Sequence, residues 1–102
     1  MEFLVLGYDG SDEGALARRL AVRPAHVELA HKLIAEGTIH YGGAIVDESE
    51  KMIGTMIACS FPSPAELDAW LKIEPYVTGN VWQKIEVRRF KPGTPFAKGV
   101  AK

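Results

Sequence analysis

Glu2-Phe3-Leu4-Val5-Leu6-Gly7-Tyr8 is a short apolar run at the head of a 102-residue chain. It reads as a β-strand, and its two parities are both apolar. Phe3 and Val5 point one way; Leu4, Leu6 and Tyr8 point the other. A strand that is apolar on both sides needs cover on both sides. One helical layer covers one face, so a second copy of the chain is expected on the other. Working outward, Asp9-Gly10-Ser11-Asp12-Glu13-Gly14 is a polar turn, with Ser11 and Asp12 as candidate helix N-caps. Residues 13–36 are rich in helix formers. Pro24 interrupts them, which predicts one helix near 12–21 and a second opening at Pro24 and stopping at Gly37.

Residues 38–46 read as a second strand, with Ile39, Tyr41 and Ile45 on one face. Asp47–Glu50 is a polar turn, and residues 51–61 are a third strand with Ile53, Ile57, Cys59 and Phe61 on one parity. Pro62 and Pro64 end it. Ser63 and Glu66 form a capping-box signature for a helix over 64–72, with Leu67, Trp70 and Leu71 as its apolar stripe. Glu74–Gly79 is a turn or short helix, and residues 81–90 are a fourth strand. The order β-α-β-β-α-β is that of an α+β, ferredoxin-like fold with an antiparallel sheet. Residues 1–91 form the domain, and residues 92–102 an irregular tail with Pro92, Gly93 and Pro95.

Composition narrows the function classes. Twelve basic and thirteen acidic residues give a net charge of −1, so phosphate-driven nucleic-acid binding is not expected. No apolar run approaches the roughly 20 residues of a membrane span, so no membrane partner is expected. The N-terminus lacks a basic start and a small-residue cleavage site. The lone Cys59 allows no internal disulfide and no cysteine-based zinc site. The expected compartment is the cytoplasm. Asp9, Ser11 and Glu13 mimic the start of an EF-hand loop, but Leu20 stands where the closing glutamate belongs. No metal and no cofactor are expected.

Arg23 and His26 are three apart and share a helix face. At a helix start, free backbone N–H groups would favour an anion beside them. The bland reading makes Arg23 a surface charge and His26 a half-buried histidine. Glu74-Pro75-Tyr76 presents a carboxylate beside a rigid residue, able to orient a histidine or merely to cap a helix. Gly42-Gly43 admits a ligand against the strand or marks a bulge. Tyr8, Tyr76 and Trp82 are candidate pocket aromatics. His31 reads as surface and His40 as a pocket or interface residue. Cys59 reads as core.

RRLAVRPAHVELAHKLIAEGTIHYGGAI (18–45) and FPSPAELDAWLKIEPYVTGNVWQKIEVRRFK (61–91) resemble the YCII (YciI-like) family, over residues 2–91 in all. That resemblance implies a dimeric α+β barrel and an active site pairing a histidine with an aspartate. The histidine falls on His26. The aspartate falls on Glu74, a departure that keeps the charge and adds one methylene. The resulting expectation is a cofactor-independent small-molecule enzyme, a lyase or isomerase working by proton abstraction, elimination or isomerisation. His26 and Glu74 would be catalytic. Arg19, Arg23, Tyr8, Gly43 and Tyr76 would bind a small anionic or enolisable organic molecule, within a homodimer. The alternative is a non-catalytic dimeric module that binds a small anionic metabolite.

Overall fold

A computed structural model describes residues 1–96; residues 97–102, the end of the predicted tail, lie outside the described residues. Strand β1 spans Glu2–Asp9, helix α1 Ala15–Ala35, β2 Ile39–Val46, β3 Met52–Ser60, α2 Pro64–Leu71, α3 Pro75–Thr78 and β4 Trp82–Arg89. The sheet order is β2-β3-β1-β4, with every neighbouring pair antiparallel. This is the ferredoxin-like α+β arrangement, with one extra helical turn, α3, before the last strand.

Alternation along β1 sets the two faces. Phe3, Val5 and Gly7 are buried, and they pair with Cys59, Ile57 and Thr55 of β3. These residues look toward the helices. Phe61, Leu67, Trp70, Tyr76, Val81 and Trp82 close the core over them. Gly7 is required here, because a Cβ would run into the Trp82 ring that lies on it. Leu4, Leu6 and Tyr8 look the other way and stay partly exposed, with no helical layer over them among the described residues.

Three local expectations are corrected. Pro24 does not divide the helix; α1 is one element of 21 residues. The lost bond would have ended on the Leu20 carbonyl, on a turn whose Leu20 side chain is 50% exposed, so water can serve that oxygen. Val22, Leu29, Ala30 and Leu33 pack against the core on both sides of the proline, and that packing outweighs the local penalty. The N-cap is Gly14, without a side-chain cap bond, instead of Ser11 or Asp12. The Asp12 carboxylate instead holds Arg18, at 2.9 and 3.2 Å. Finally, the β2–β3 register shifts at His40, where Ile39 pairs with Cys59 but Tyr41 pairs with Ala58. One extra residue turns Tyr41 onto the opposite face from Ile39, and Tyr41 is 72% exposed.

The helix ends follow their residues closely. At the C-terminus of α1, Gly37 adopts φ +80, its N–H donates to the Ile34 carbonyl and that of Thr38 to the Leu33 carbonyl. That is a Schellman ending, which favours glycine at the left-handed position. Ser63 caps α2 by accepting from the Glu66 N–H, 3.3 Å. Among the described residues the reciprocal bond, from the Ser63 N–H to the Glu66 carboxylate, is not formed, so half of the capping box is present.

Candidate functional site

The site begins at the N-cap of α3. Glu74 is the cap residue, Pro75 the first helical residue, and the Tyr76 N–H donates to Glu74 Oε2 at 2.9 Å. Proline supplies the fixed φ of a helix start, and the carboxylate satisfies a backbone donor that the helix leaves open. Glu74 is thereby held in place at 1% exposure. The same oxygen lies 2.8 Å from His26 Nδ1 on α1. Two residues 48 apart in sequence thus meet, and the added methylene of glutamate does not prevent it.

The bond decides the state of the ring. A carboxylate can only accept, so Nδ1 carries a proton and the neutral ring keeps its lone pair on Nε2. The Tyr76 ring stacks on His26, with centroids 4.0 Å apart and planes inclined by 18°. One short segment, Glu74-Pro75-Tyr76, therefore fixes both the tautomer and the plane of His26. The histidine side chain keeps 13% exposure, on the wall of a cavity of about 200 Å³.

That cavity lies between α1 and the β2–β3 half of the sheet. Arg19, Arg23, His26, Thr55 and Tyr76 give it a polar side. Val27, Ala30, Ile34, Ile39 and Ile57 give it an apolar side, and Gly42 and Gly43 line it along β2. Six of the seven residues singled out in the sequence are thus gathered, with Glu74 buried behind His26. Tyr8 is not among them. It has the outward parity of β1, and its ring lies 5.9 Å from Lys84 Nζ on the far face of the sheet. Gly43 lines the cavity, although a Cβ there would meet open space; Gly42 is the tighter position, where a Cβ would stand 3.0 Å from the Met56 carbonyl oxygen.

The continuous α1 also changes the electrostatics expected around His26. Arg23 and His26 sit in mid-helix, where backbone N–H groups are already bonded, so no helix N-terminus faces the cavity. Positive charge comes from side chains alone. Arg19 is buried; its Nη1 donates to both Asp9 oxygens at 3.1 and 3.2 Å, and its Nη2 to Thr55 Oγ1 at 2.8 Å. Its guanidinium stands 4.8 Å from the Tyr76 ring centroid. Arg23 is exposed, and among the described residues it has no ion-pair partner. The Arg19 charge is matched by Asp9, which leaves Arg23 as the cation open to a ligand.

Asp9 and Thr55 were not legible as site residues. Asp9 reads as the start of a turn, yet it shares the inward parity of Phe3, Val5 and Gly7. Thr55 shares the inward parity of Ile57 and Cys59. Burial raises the Asp9 carboxyl above its usual range, with the Arg19 guanidinium opposing. Burial likewise raises the Tyr76 phenol, against the pull of Arg19 and Arg23. The Cys59 thiol is pushed up to about 12 by burial, which makes it an inert core group.

A second groove runs between the C-terminal turn of α1, the start of β2 and residues 90–96. It holds His40, whose Nε2 lies 3.4 Å from Glu2 Oε1. Among the described residues, no three His, Cys, Asp or Glu side chains gather as metal ligands, and no helix is long and apolar enough to cross a membrane.

Comparison with known proteins shows the family and the fold. Proteins named Protein YciI from Escherichia coli and Shigella flexneri are each 30% identical over 97 residues, covering 89% of this chain and 97% of theirs. Among solved structures, 5-chloro-2-hydroxyhydroquinone dehydrochlorinase from Burkholderia phenoliruptrix, in complex with 2,5-dihydroxybenzoquinone, superposes with a TM-score of 0.79. It is 23% identical, and the match covers 94% of this chain and 99% of that one. The model of the YCII-related domain matches residues 1–91, and the chain belongs to that family.

Proposed function

We propose that the chain is an enzyme that moves a proton on a small anionic or enolisable organic molecule, with His26 as the acid–base group. The observation that carries this reading is the His26 Nδ1–Glu74 Oε2 contact of 2.8 Å, on a carboxylate already fixed by the Tyr76 N–H. It leaves Nε2 as the ring nitrogen free to act. Nε2 takes a proton from the carbon or oxygen beside a carbonyl, and the electrons of that bond move onto the carbonyl oxygen. Arg23 stabilises the oxyanion that results, and the buried Glu74 faces the imidazolium. The oxyanion's electrons then re-form the carbonyl, and the imidazolium returns its proton either to another atom of the ligand or to a leaving group whose bond to the ligand breaks as those electrons move in. Isomerisation follows in the first case and elimination in the second.

The dehydrochlorinase similar in fold binds 2,5-dihydroxybenzoquinone, an acidic enol conjugated to carbonyls. That makes the same quinone a rational first probe for this cavity. Incubated with the protein in D2O, its ring hydrogens should exchange: deuterated His26 delivers a deuteron to the ring carbon, and Nε2 then removes the original proton. His26→Ala should slow the exchange by about 100-fold or more, the usual worth of a general base. An exchange rate unchanged in His26→Ala overturns the assignment. Binding of the quinone without catalysed exchange would instead favour the non-catalytic binding module.

A further inference from the structure

We propose that Thr55 is a ligand-binding residue that donates a hydrogen bond to an acceptor oxygen of the bound molecule. Thr55 lies on β3 at 3% exposure and lines the same cavity as His26. Its hydroxyl is not free to choose its role. Arg19 Nη2 contacts Oγ1 at 2.8 Å, and a guanidinium can only donate, so Oγ1 is an acceptor there. The hydroxyl proton must go elsewhere, and among the described residues no acceptor takes it. Accepting from a cation also polarises the O–H and makes it a better donor. Asp9, which holds the other terminal nitrogen of Arg19, keeps this arrangement from turning round.

This assigns a requirement to the ligand. The cavity side chains offer donors at Arg23 and Thr55, and a base at His26 Nε2. A matching molecule carries at least two acceptor oxygens and one proton to give up, on a body that fits against Ile39 and Ile57. A small keto-enol or hydroxyquinone anion has that pattern; a simple hydrocarbon or a monodentate amine does not. The inference rests on the proposed function for the nature of the ligand, but its test separates from the test of His26.

The experiment is titration of 2,5-dihydroxybenzoquinone into wild type, Thr55→Ser and Thr55→Val, with a crystal structure of the wild-type complex. Thr55→Val should weaken binding by about tenfold or more, and Thr55→Ser should stay within about threefold of wild type. Because valine also removes an acceptor from Arg19, the carbonyl stretch of the bound quinone is the second readout. A donated bond lowers it in wild type and in Thr55→Ser, and the lowering should vanish in Thr55→Val. A role confined to holding Arg19 would change affinity but not the stretch. The crystal structure needs no variant, and should place a quinone oxygen within about 3 Å of Oγ1. A complex without that contact, or a Thr55→Val protein that binds as wild type does, overturns the inference even if His26 proves catalytic. Conversely, tight binding with the Thr55 contact but no proton exchange upholds it and overturns the enzyme reading. No binding to wild type at millimolar quinone overturns both.

Discussion

Asp9 and Arg19 make a buried ion pair in the wall of the candidate site, with side chains about as hidden as any in the core. Breaking such a pair by removing one partner costs about 3–5 kcal/mol, because the other charge is stranded. Arg19→Met should therefore destabilise the protein at neutral pH. The pH dependence follows from Asp9. Burial already raises its carboxyl, and Arg19 is the main group opposing that rise. Without Arg19 the carboxyl rises further. A group raised in the folded state contributes stability that is present in acid and lost as pH rises through its folded value. The deficit of Arg19→Met should hence shrink as pH falls from neutral into mild acid, where Asp9 becomes neutral. Urea unfolding of both proteins across that range checks it; a deficit independent of pH would contradict the coupling. At this scale the sequence was partly legible. His26 stood out by its spacing from Arg23 and Glu74 by the proline beside it, and the structure brings the two side chains together. The Arg19 cluster did not stand out, since Asp9, Arg19 and Thr55 come from three elements and only the folded register brings them together. Tyr8 was expected in the pocket as an aromatic, but it keeps the outward parity it shares with Leu4 and Leu6 and so lies on the far face of the sheet.

Among the elements, α1 shows where local rules yield to packing. A proline inside a helix removes a bond and crowds the preceding turn, and by that rule the helix should have split. Instead, Val22, Leu29, Ala30 and Leu33 bind both halves to one core. The local cost is still present, and it can be measured. Pro24 is exposed, so replacing it leaves the core untouched. Pro24→Ala restores a donor to the Leu20 carbonyl and removes a helix penalty of about 3 kcal/mol. It also frees the unfolded chain, which costs about 0.4–1 kcal/mol. A net gain of about 2–2.5 kcal/mol is expected from chemical denaturation, and a loss of stability would show that the wild-type helix carries no such penalty. The strands tell a related story. Their existence and order are plain from apolar runs and turn residues, while the extra residue at His40 left no sequence signal and reversed the face of Tyr41. Short motifs fared best where their chemistry is local: Gly37 ended α1, Ser63 capped α2, and Glu74-Pro75-Tyr76 opened α3.

For the whole molecule, the helices and the candidate site occupy one side of the sheet and leave the other side bare. Leu4, Leu6 and Tyr8 of β1 lie there, beside Met56 and Ala58 of β3 and Tyr41 and Ile45 of β2. Lys84, Glu86 and Arg88 of β4 border them. An apolar patch with a charged rim is the ordinary anatomy of a protein interface. The two-sided apolar pattern of residues 2–8 follows from the same demand, since half of that strand has no cover among the described residues. A homodimer packed sheet to sheet would supply it. Leu6 sits on the central strand pair, opposite Glu86 and Met56. Leu6→Asp places a charge in the middle of the proposed contact while leaving Val5, Gly7 and the cavity beyond them in place. Sedimentation equilibrium should find wild type at the dimer mass and Leu6→Asp at the monomer mass. The His26–Glu74 contact lies on the other side of the sheet and should survive, as read from the His26 ring resonances. A wild-type chain that sediments as a monomer at micromolar concentration would mean that the bare face is tolerated in water, and that the apolar outward parity of β1 needs another cause.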